Sequence, residues 1–407
     1  MFPLLRCVPA ITIVSAGTQR RSGKASAGAD DNGLGSASLI RLNGACGAIR
    51  IPRLLLERDP MVESTRLFRL ATAAVAAALL LSACSSSSDE SAGSASNDTA
   101  SDGVFPVTVE HAFGETTVDA EPQRVVVVGY TEQDTVLALG VKPVAVTEWY
   151  GEQPYATWPW AQEALGDSQP EVLSADDGFQ IERIAALDPD LIIGTNAGLD
   201  ETTYAQLSAL APTIAQSGDY TGYFEPWDVQ ARNIGTALGK KDEVEELISG
   251  IDDKFAAAEA EHPEFDGTKA IFLQNAFYDG AAIAYQNGLS TDFLTDLGFV
   301  VPSEIDAFAP PEGGGQANIP LENLSVLNTA DVLLWATESP DDRTTLEKEP
   351  VYQNLDAVKA NKLVFTDGVT AGAIYFTSLL SLPYVIDKLA PAFASTLAGD
   401  GAATTTS

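Results

Sequence analysis

Cysteine is almost absent: the 407 residues hold three, Cys7, Cys46 and Cys84, and none follows position 84. The downstream chain therefore has no disulfides and must stand on its core alone, which some three hundred residues can do by burying roughly three quarters of their unfolded surface. Histidine is equally scarce. Only His111 and His262 are present, one in a predicted opening hairpin and one at the end of a predicted helix, so no direct metal site of convergent histidines and carboxylates is expected. Positive charge is the third scarcity, with 23 Lys+Arg against 57 Asp+Glu. Ten of these bases and five of the acids precede Cys84, leaving 13 against 52 and a net charge of about −39 from there on. Such a surface disfavours nucleic acid and anionic lipid and accommodates a neutral or cationic ligand more easily than a polyanion.

Catalytic motifs are missing too. There is no G-x-S-x-G elbow, no G-x-x-x-x-G-K-[ST] loop and no H-E-x-x-H pair. Gly313-Gly314-Gly315 precedes no basic residue and reads as a mobile loop. The chain is expected not to be an enzyme and to carry no cofactor.

What is present begins with an export signal. Arg66-Leu67-Phe68-Arg69 is a basic start, and residues 70–81 form an apolar run interrupted only by Thr72. The run is shorter than the ~20 residues needed to cross a bilayer. Leu81-Ser82-Ala83-Cys84 resembles the lipobox of bacterial lipoproteins. That resemblance implies a signal peptide over 61–83, lipid attachment at Cys84, and a cell-membrane location facing outside the cytoplasm. Residues 1–60 show no sustained period and form a doubtful N-terminal extension, with Met61 the preferred start. Residues 84–103, nearly all Ser, Ala, Gly, Asn, Asp and Thr after the cysteine, read as a flexible tether.

Beyond the tether the pattern is α/β. Residues 107–118 alternate as two short strands around Gly114. The β-branched run 124–129, a short helix over 135–139 and a strand over 143–147 make a parallel unit, and the grammar repeats through 215. Residues 228–263 differ, with Val244, Leu247, Ile248, Ile251 and Phe255 at helical spacing and only Gly239 and Gly250 interrupting. Strand and helix then alternate again up to a helix over 381–392. The predicted architecture is an N-terminal α/β lobe (104–227), a linking helix region (228–263), a C-terminal α/β lobe (264–396) and a disordered tail (397–407).

Five phrases carry a family resemblance: Ala112-Phe113-Gly114 with Pro122-Gln123-Arg124-Val125-Val126; Leu137-Ala138-Leu139-Gly140-Val141-Lys142-Pro143-Val144; Trp158-Pro159-Trp160-Ala161; Ile184-Ala185-Ala186-Leu187-Asp188-Pro189-Asp190-Leu191-Ile192-Ile193-Gly194; and Leu379-Leu380-Ser381-Leu382-Pro383-Tyr384-Val385. In this order, behind a lipobox, residues 105–395 resemble the iron-siderophore substrate-binding proteins of ABC importers, the group of the ferric-enterobactin, ferric-citrate and vitamin B12 binding proteins. The resemblance implies two Rossmann-like lobes joined by a long rigid helix, the helical-backbone metal-chelate receptor fold. It also implies a cleft that holds Fe(III) as a siderophore chelate, and a permease partner. Heme or cobalamin is the alternative ligand, and the chain is expected to act as a monomer.

In open parallel sheets ligands sit outside the carboxyl ends of the strands. The residues there are Tyr130, Trp149, Tyr150, Asn196, Tyr220 and Tyr223 in the first lobe and Tyr278, Tyr285, Phe308 and Tyr375 in the second. Aromatic rings with hydroxyl handles suit a chelate that has apolar flanks and amide or hydroxamate oxygens. Trp158, Trp160 and Trp335 read rather as core. A tris-catecholate trianion would call for clustered arginines. None is expected in these loops, since Arg124 starts a strand, Arg183 and Arg232 lie on helices, and Arg343 sits in a distal loop. A neutral or cationic hydroxamate or mixed chelate follows. From the resemblance, the permease-docking acids are Glu182 and Glu322, which also suit the first turn of a helix.

Overall fold

Two short antiparallel strands, β1 (Val107–His111) and β2 (Gly114–Val118), open the described part of the chain, with alternate side chains buried. A computed structural model describes residues 104–407 apart from 221 and 312–314. The signal peptide, Cys84, the tether and glycines 313 and 314 lie outside the described residues.

The first lobe is a five-stranded parallel sheet. Its strands are β3 (Val125–Val127), β4 (Ala145–Glu148), β5 (Glu171–Ser174), β6 (Leu191–Gly194) and β7 (Thr213–Ala215), in the spatial order β5-β4-β3-β6-β7. β3, β6 and β7 are buried along their whole length, as uninterrupted apolar runs covered by helices on both faces should be. β3 lies at the centre, so the loops after β3, β4 and β6 open side by side at one end of the sheet.

The second lobe contains β8 (Ala270–Tyr278), β9 (Ala281–Ala284), β10 (Ala317–Pro320), β11 (Val332–Ala336), β12 (Leu363–Phe365) and β13 (Ala403–Thr404). Their order is β10-β9-β8-β11-β12-β13. β8, β11, β12 and β13 run parallel, while β9 turns back from β8 and pairs antiparallel with β10. Trp335, Phe272, Phe293, Phe365 and Phe393 are fully buried here.

Between the lobes the linking region is two helices, Trp227–Ala237 and Lys241–Glu261, rather than one. Gly239 makes the break, adopting a φ of +69° that an L side chain would resist. Gly250 interrupts nothing, because a single glycine in a 21-residue helix costs only about 1 kcal/mol against alanine. The longer helix spans roughly 31 Å at 1.5 Å per residue. Val244, Ile248, Ile251 and Phe255 are its buried stripe, but Leu247, expected there, is exposed. Lys254 ties this helix to the C-terminal one (Ser381–Ala398) by donating to the Pro383 carbonyl at 2.9 Å and pairing with Asp387 at 2.8 Å.

The end of the chain departs from the expected disordered tail. The last helix continues to Ala398, and β13 adds a parallel strand beside β12, with the Thr405 N–H donating to the Phe365 carbonyl at 2.9 Å. The Ala and Thr residues of 402–406 carry little apolar signal of their own, and the open edge of β12 decides their conformation. Residues 321–327, expected within the strand and helix alternation, fall in a 3-10 helix, Leu321–Thr329.

Candidate functional site

The loops at the carboxyl ends of β3, β4, β11 and β12 converge between the lobes, and they bring a continuous train of rings with them. Tyr130, two residues beyond Val128, stacks on Trp149 at 5.6 Å and on Tyr223 at 6.1 Å. Trp149 meets Tyr150 edge-on at 5.0 Å and Phe376 of the other lobe at 5.7 Å. Tyr150 in turn packs near Trp158 (5.1 Å) and Tyr375 (6.1 Å). Tyr130, Trp149, Tyr150, Tyr223 and Tyr375 are all partly exposed, whereas Trp158 and Phe376 lie buried beneath them. Offset and edge-on ring pairs of this kind prefer these separations.

Trp158 is seated by a close approach. A Cβ on Gly372, in the helix Gly368–Phe376, would come within 2.7 Å of its indole ring, so no larger residue fits at position 372 without moving the tryptophan. Trp158 also stacks on Trp160 at 5.1 Å. The Trp160 Nε1–H donates to Asp134 Oδ2 at 2.7 Å, and the same oxygen accepts from Ser378 Oγ at 2.5 Å. Asp134 is fully buried, and burial raises its pKa to about 6 despite these two donors.

A cavity of ≈ 370 Å³ opens beside Tyr150 and Trp158, walled on the far side by Glu338, Asp367, Gly368 and Val369. Glu338 follows β11 and Asp367 follows β12. Asp367 caps the helix that begins at Gly368, accepting the Thr370 N–H at 2.8 Å. Burial, reinforced by Asp342, raises Glu338 to about 7. Burial also pushes the Tyr150 phenol well above the usual tyrosine range, with Glu338 adding to the effect. A second, smaller cavity of ≈ 40 Å³ is bounded by Asn196, Tyr223, Glu225, Asp292, Tyr375 and Thr377, among others. There Glu225 is raised to about 7 by burial, and Asp292 upward by burial and Asp228.

Among the described residues, neither cavity has a Lys or Arg in its wall. The arginines are engaged elsewhere. Arg124 donates to the Leu187 and Asp188 carbonyls, Arg183 pairs with Glu171, and Arg232 bridges Asp228 and Glu245. Arg343 stands on the helix Pro340–Lys348, not in a loop, pairing with Glu347 and lying 4.4 Å over the Phe365 ring.

The other expected site residues are placed as follows. Asn196 belongs to the cleft wall, its N–H donating to Glu132 Oε1 at 2.7 Å and its Nδ2 to Thr131 Oγ1 at 2.9 Å. Tyr285 is a supporting residue rather than a surface one. It is buried against Phe272 at 4.5 Å, and its hydroxyl is engaged by Gln274 and Gln316. Tyr220, Tyr278 and Phe308 stack on none of the cleft rings. Tyr278 is carried away because β8 outruns its partner β11, whose pairing ends at Ala336↔Gln274, and then bends into the β9 hairpin. Phe308 ends a 3-10 turn, and Tyr220 is exposed. Glu182 and Glu322 are both exposed in first turns, of the helix Ile181–Ala186 and of the 3-10 helix Leu321–Thr329. Trp335 and Trp158 are both buried as expected, Trp158 also bordering the larger cavity, while Trp160 is only half-buried. Glu338 was missed although it follows a strand, because one acid among so many carries no signal by itself.

Residues 125–370, which span the first sheet and all but the last strand of the second, match the periplasmic binding protein family. The chain belongs to that family. Among solved structures it is similar to a periplasmic solute binding protein from Mycobacterium smegmatis, at 47% identity and a TM-score of 0.67, with 72% of this chain and 99% of that one covered. Two curated relatives come from Bacillus subtilis. The probable siderophore-binding lipoprotein YfiY is 29% identical over 308 residues, 71% of this binding protein and 88% of its own length. The iron(3+)-hydroxamate-binding protein FhuD is 27% identical over 304 residues, covering 72% and 87%.

Proposed function

We propose that this protein captures a ferric siderophore in the cleft between its lobes and delivers it to the permease of an ABC importer. The aromatic shelf carries the assignment. Tyr130, Trp149, Tyr150, Tyr223 and Tyr375 offer broad apolar faces, with hydroxyl edges from Tyr130 and Tyr223, at the strand ends where such folds bind ligands. The names of the Bacillus relatives, one siderophore-binding and one hydroxamate-binding, support iron chelates as the ligand class.

The walls narrow that class. With carboxyl groups at Glu338, Asp367, Glu225 and Asp292 and no arginine to meet a trianion, a neutral or cationic hydroxamate or mixed chelate fits better than a tris-catecholate. Delivery follows from Cys84 as the lipid anchor, with exposed Glu182 and Glu322, one on each lobe, as the contacts for a basic permease surface. The cleft binds and releases its ligand without chemical change.

Titration of tryptophan fluorescence with a ferric trihydroxamate and a ferric tris-catecholate tests the assignment. Saturable quenching by the trihydroxamate at low concentration is expected. Tight binding of the catecholate alone would overturn the ligand class, and binding of neither would overturn siderophore capture.

A further inference from the structure

Two glycines from different loops meet beside the cleft ring of Tyr223. Gly198 stands in the loop after β6 and Gly222 in the loop after β7, and the Gly198 N–H donates to the Gly222 carbonyl at 3.2 Å. A Cβ on Gly222 would lie 2.9 Å from Gly198 Cα, so the two backbones touch where a larger residue has no room. The hydroxyl end of Tyr223 closes over the same spot. A Cβ on Gly198 would come within 2.3 Å of Tyr223 Cζ and 2.4 Å of its hydroxyl oxygen, far inside van der Waals contact. Gly198 also holds a φ of +60°, which an L side chain resists.

This glycine cannot retreat to make room. Ala197 and Leu199, on either side of it, are buried in the core of the first lobe with Val128 and Ile192. Tyr223 is the freer partner, being partly exposed and held towards the cleft by its stack on Tyr130 at 6.1 Å and 12°. A side chain at position 198 would therefore move Tyr223 rather than the loop beneath it, and so disturb that stack. We propose that Gly198 is a positioning residue for ligand binding: by lacking a side chain it sets Tyr223 on the aromatic shelf and fixes the face that a chelate meets. The role rests on the siderophore assignment, with Tyr223 as the group that touches ligand. Gly198 itself lines neither cavity.

A double-mutant cycle read by fluorescence titration of the mature protein with a ferric trihydroxamate tests this. Tyr223→Ala should weaken binding by roughly tenfold, the scale of one aromatic contact. Gly198→Ala should weaken it by a similar factor, and the double variant no more than Tyr223→Ala alone, because with the ring gone the new methyl group displaces nothing. Thermal melts separate positioning from general damage. The strain of alanine in a left-handed conformation should lower the melting midpoint whether residue 223 is tyrosine or alanine, whereas the affinity loss should appear only with tyrosine. Gly140→Ala, at a φ of +77° with open space around it, is the control and should lower the midpoint at unchanged affinity. Full affinity in either single variant, or a double variant whose loss multiplies the two single losses, overturns the positioning role and leaves siderophore capture in place. Failure of the unsubstituted protein to bind either a ferric trihydroxamate or a ferric tris-catecholate overturns the underlying assignment as well.

Discussion

Asp134 Oδ2 accepts a 2.5 Å hydrogen bond from Ser378 Oγ across 244 residues of sequence, joining the first helix of one lobe to the loop after the last cleft helix of the other. The Trp160 indole N–H shares that oxygen. The contact is fully buried at Asp134, so it fixes how the lobes meet behind the aromatic shelf.

Removing Ser378 should therefore destabilise the protein. Ser378→Ala takes one of two donors from a buried carboxyl, a loss of about 1–2 kcal/mol. Since that donor favours the ionised form of Asp134, the loss should be larger at about pH 8 than at about pH 5. Urea denaturation at the two pH values measures both quantities, and an equal loss at each would separate Ser378 from the charge on Asp134.

The same acids reverse the usual dependence of stability on pH. Burial raises Asp134 and Asp296 to about 6, and Glu148, Glu225 and Glu338 to about 7, from ordinary values of 3.8 and 4.5. Between these limits the folded state holds more protons than the unfolded one, so their contribution is complete below the ordinary values and is lost as pH rises through 6 to 7. Thermal melts should give a higher midpoint at about pH 5 than at about pH 8. Self-repulsion in so acidic a chain acts in the same direction.

At Gly372 the packing reaches the wall of the larger cavity through Trp158. Gly372→Ala places a methyl group within 2.7 Å of the Trp158 ring, which must then shift at the wall of the larger cavity. Overpacking of this kind costs about 1–3 kcal/mol. A shifted tryptophan emission, a lowered melting midpoint and weakened chelate binding are expected together. Binding at full affinity would show that Trp158 does not shape the site.

Charge reversal at the two exposed acids tests delivery apart from capture. Glu182→Lys with Glu322→Lys should leave chelate affinity in place, because neither residue lines either cavity. Uptake of radiolabelled ferric chelate by cells should fall to background. Normal uptake would mean that the permease contacts another surface.

Much of the scaffold was legible in the sequence, because parallel strands buried on both faces read as apolar runs and their carboxyl ends mark the cleft. Tyr130, Trp149, Tyr150, Tyr223 and Tyr375 could be located by that rule alone. It failed at Tyr278, where β8 continues past its partner into a hairpin that apolar patterning does not announce. It also failed at Tyr285, whose hydroxyl is engaged by two glutamines from elsewhere in the chain. The strand at 403–404 was hidden because its pairing comes from the edge of β12 and not from its own composition. Asp134 and Glu338 were hidden among many other acids, and only burial distinguishes them.

Native mass spectrometry of the mature protein purified from iron-limited cells tests siderophore capture most directly. The account predicts a one-to-one complex whose added mass contains ferric iron and a hydroxamate or mixed chelator. A co-purified ligand without iron, or a ferric tris-catecholate, would contradict it.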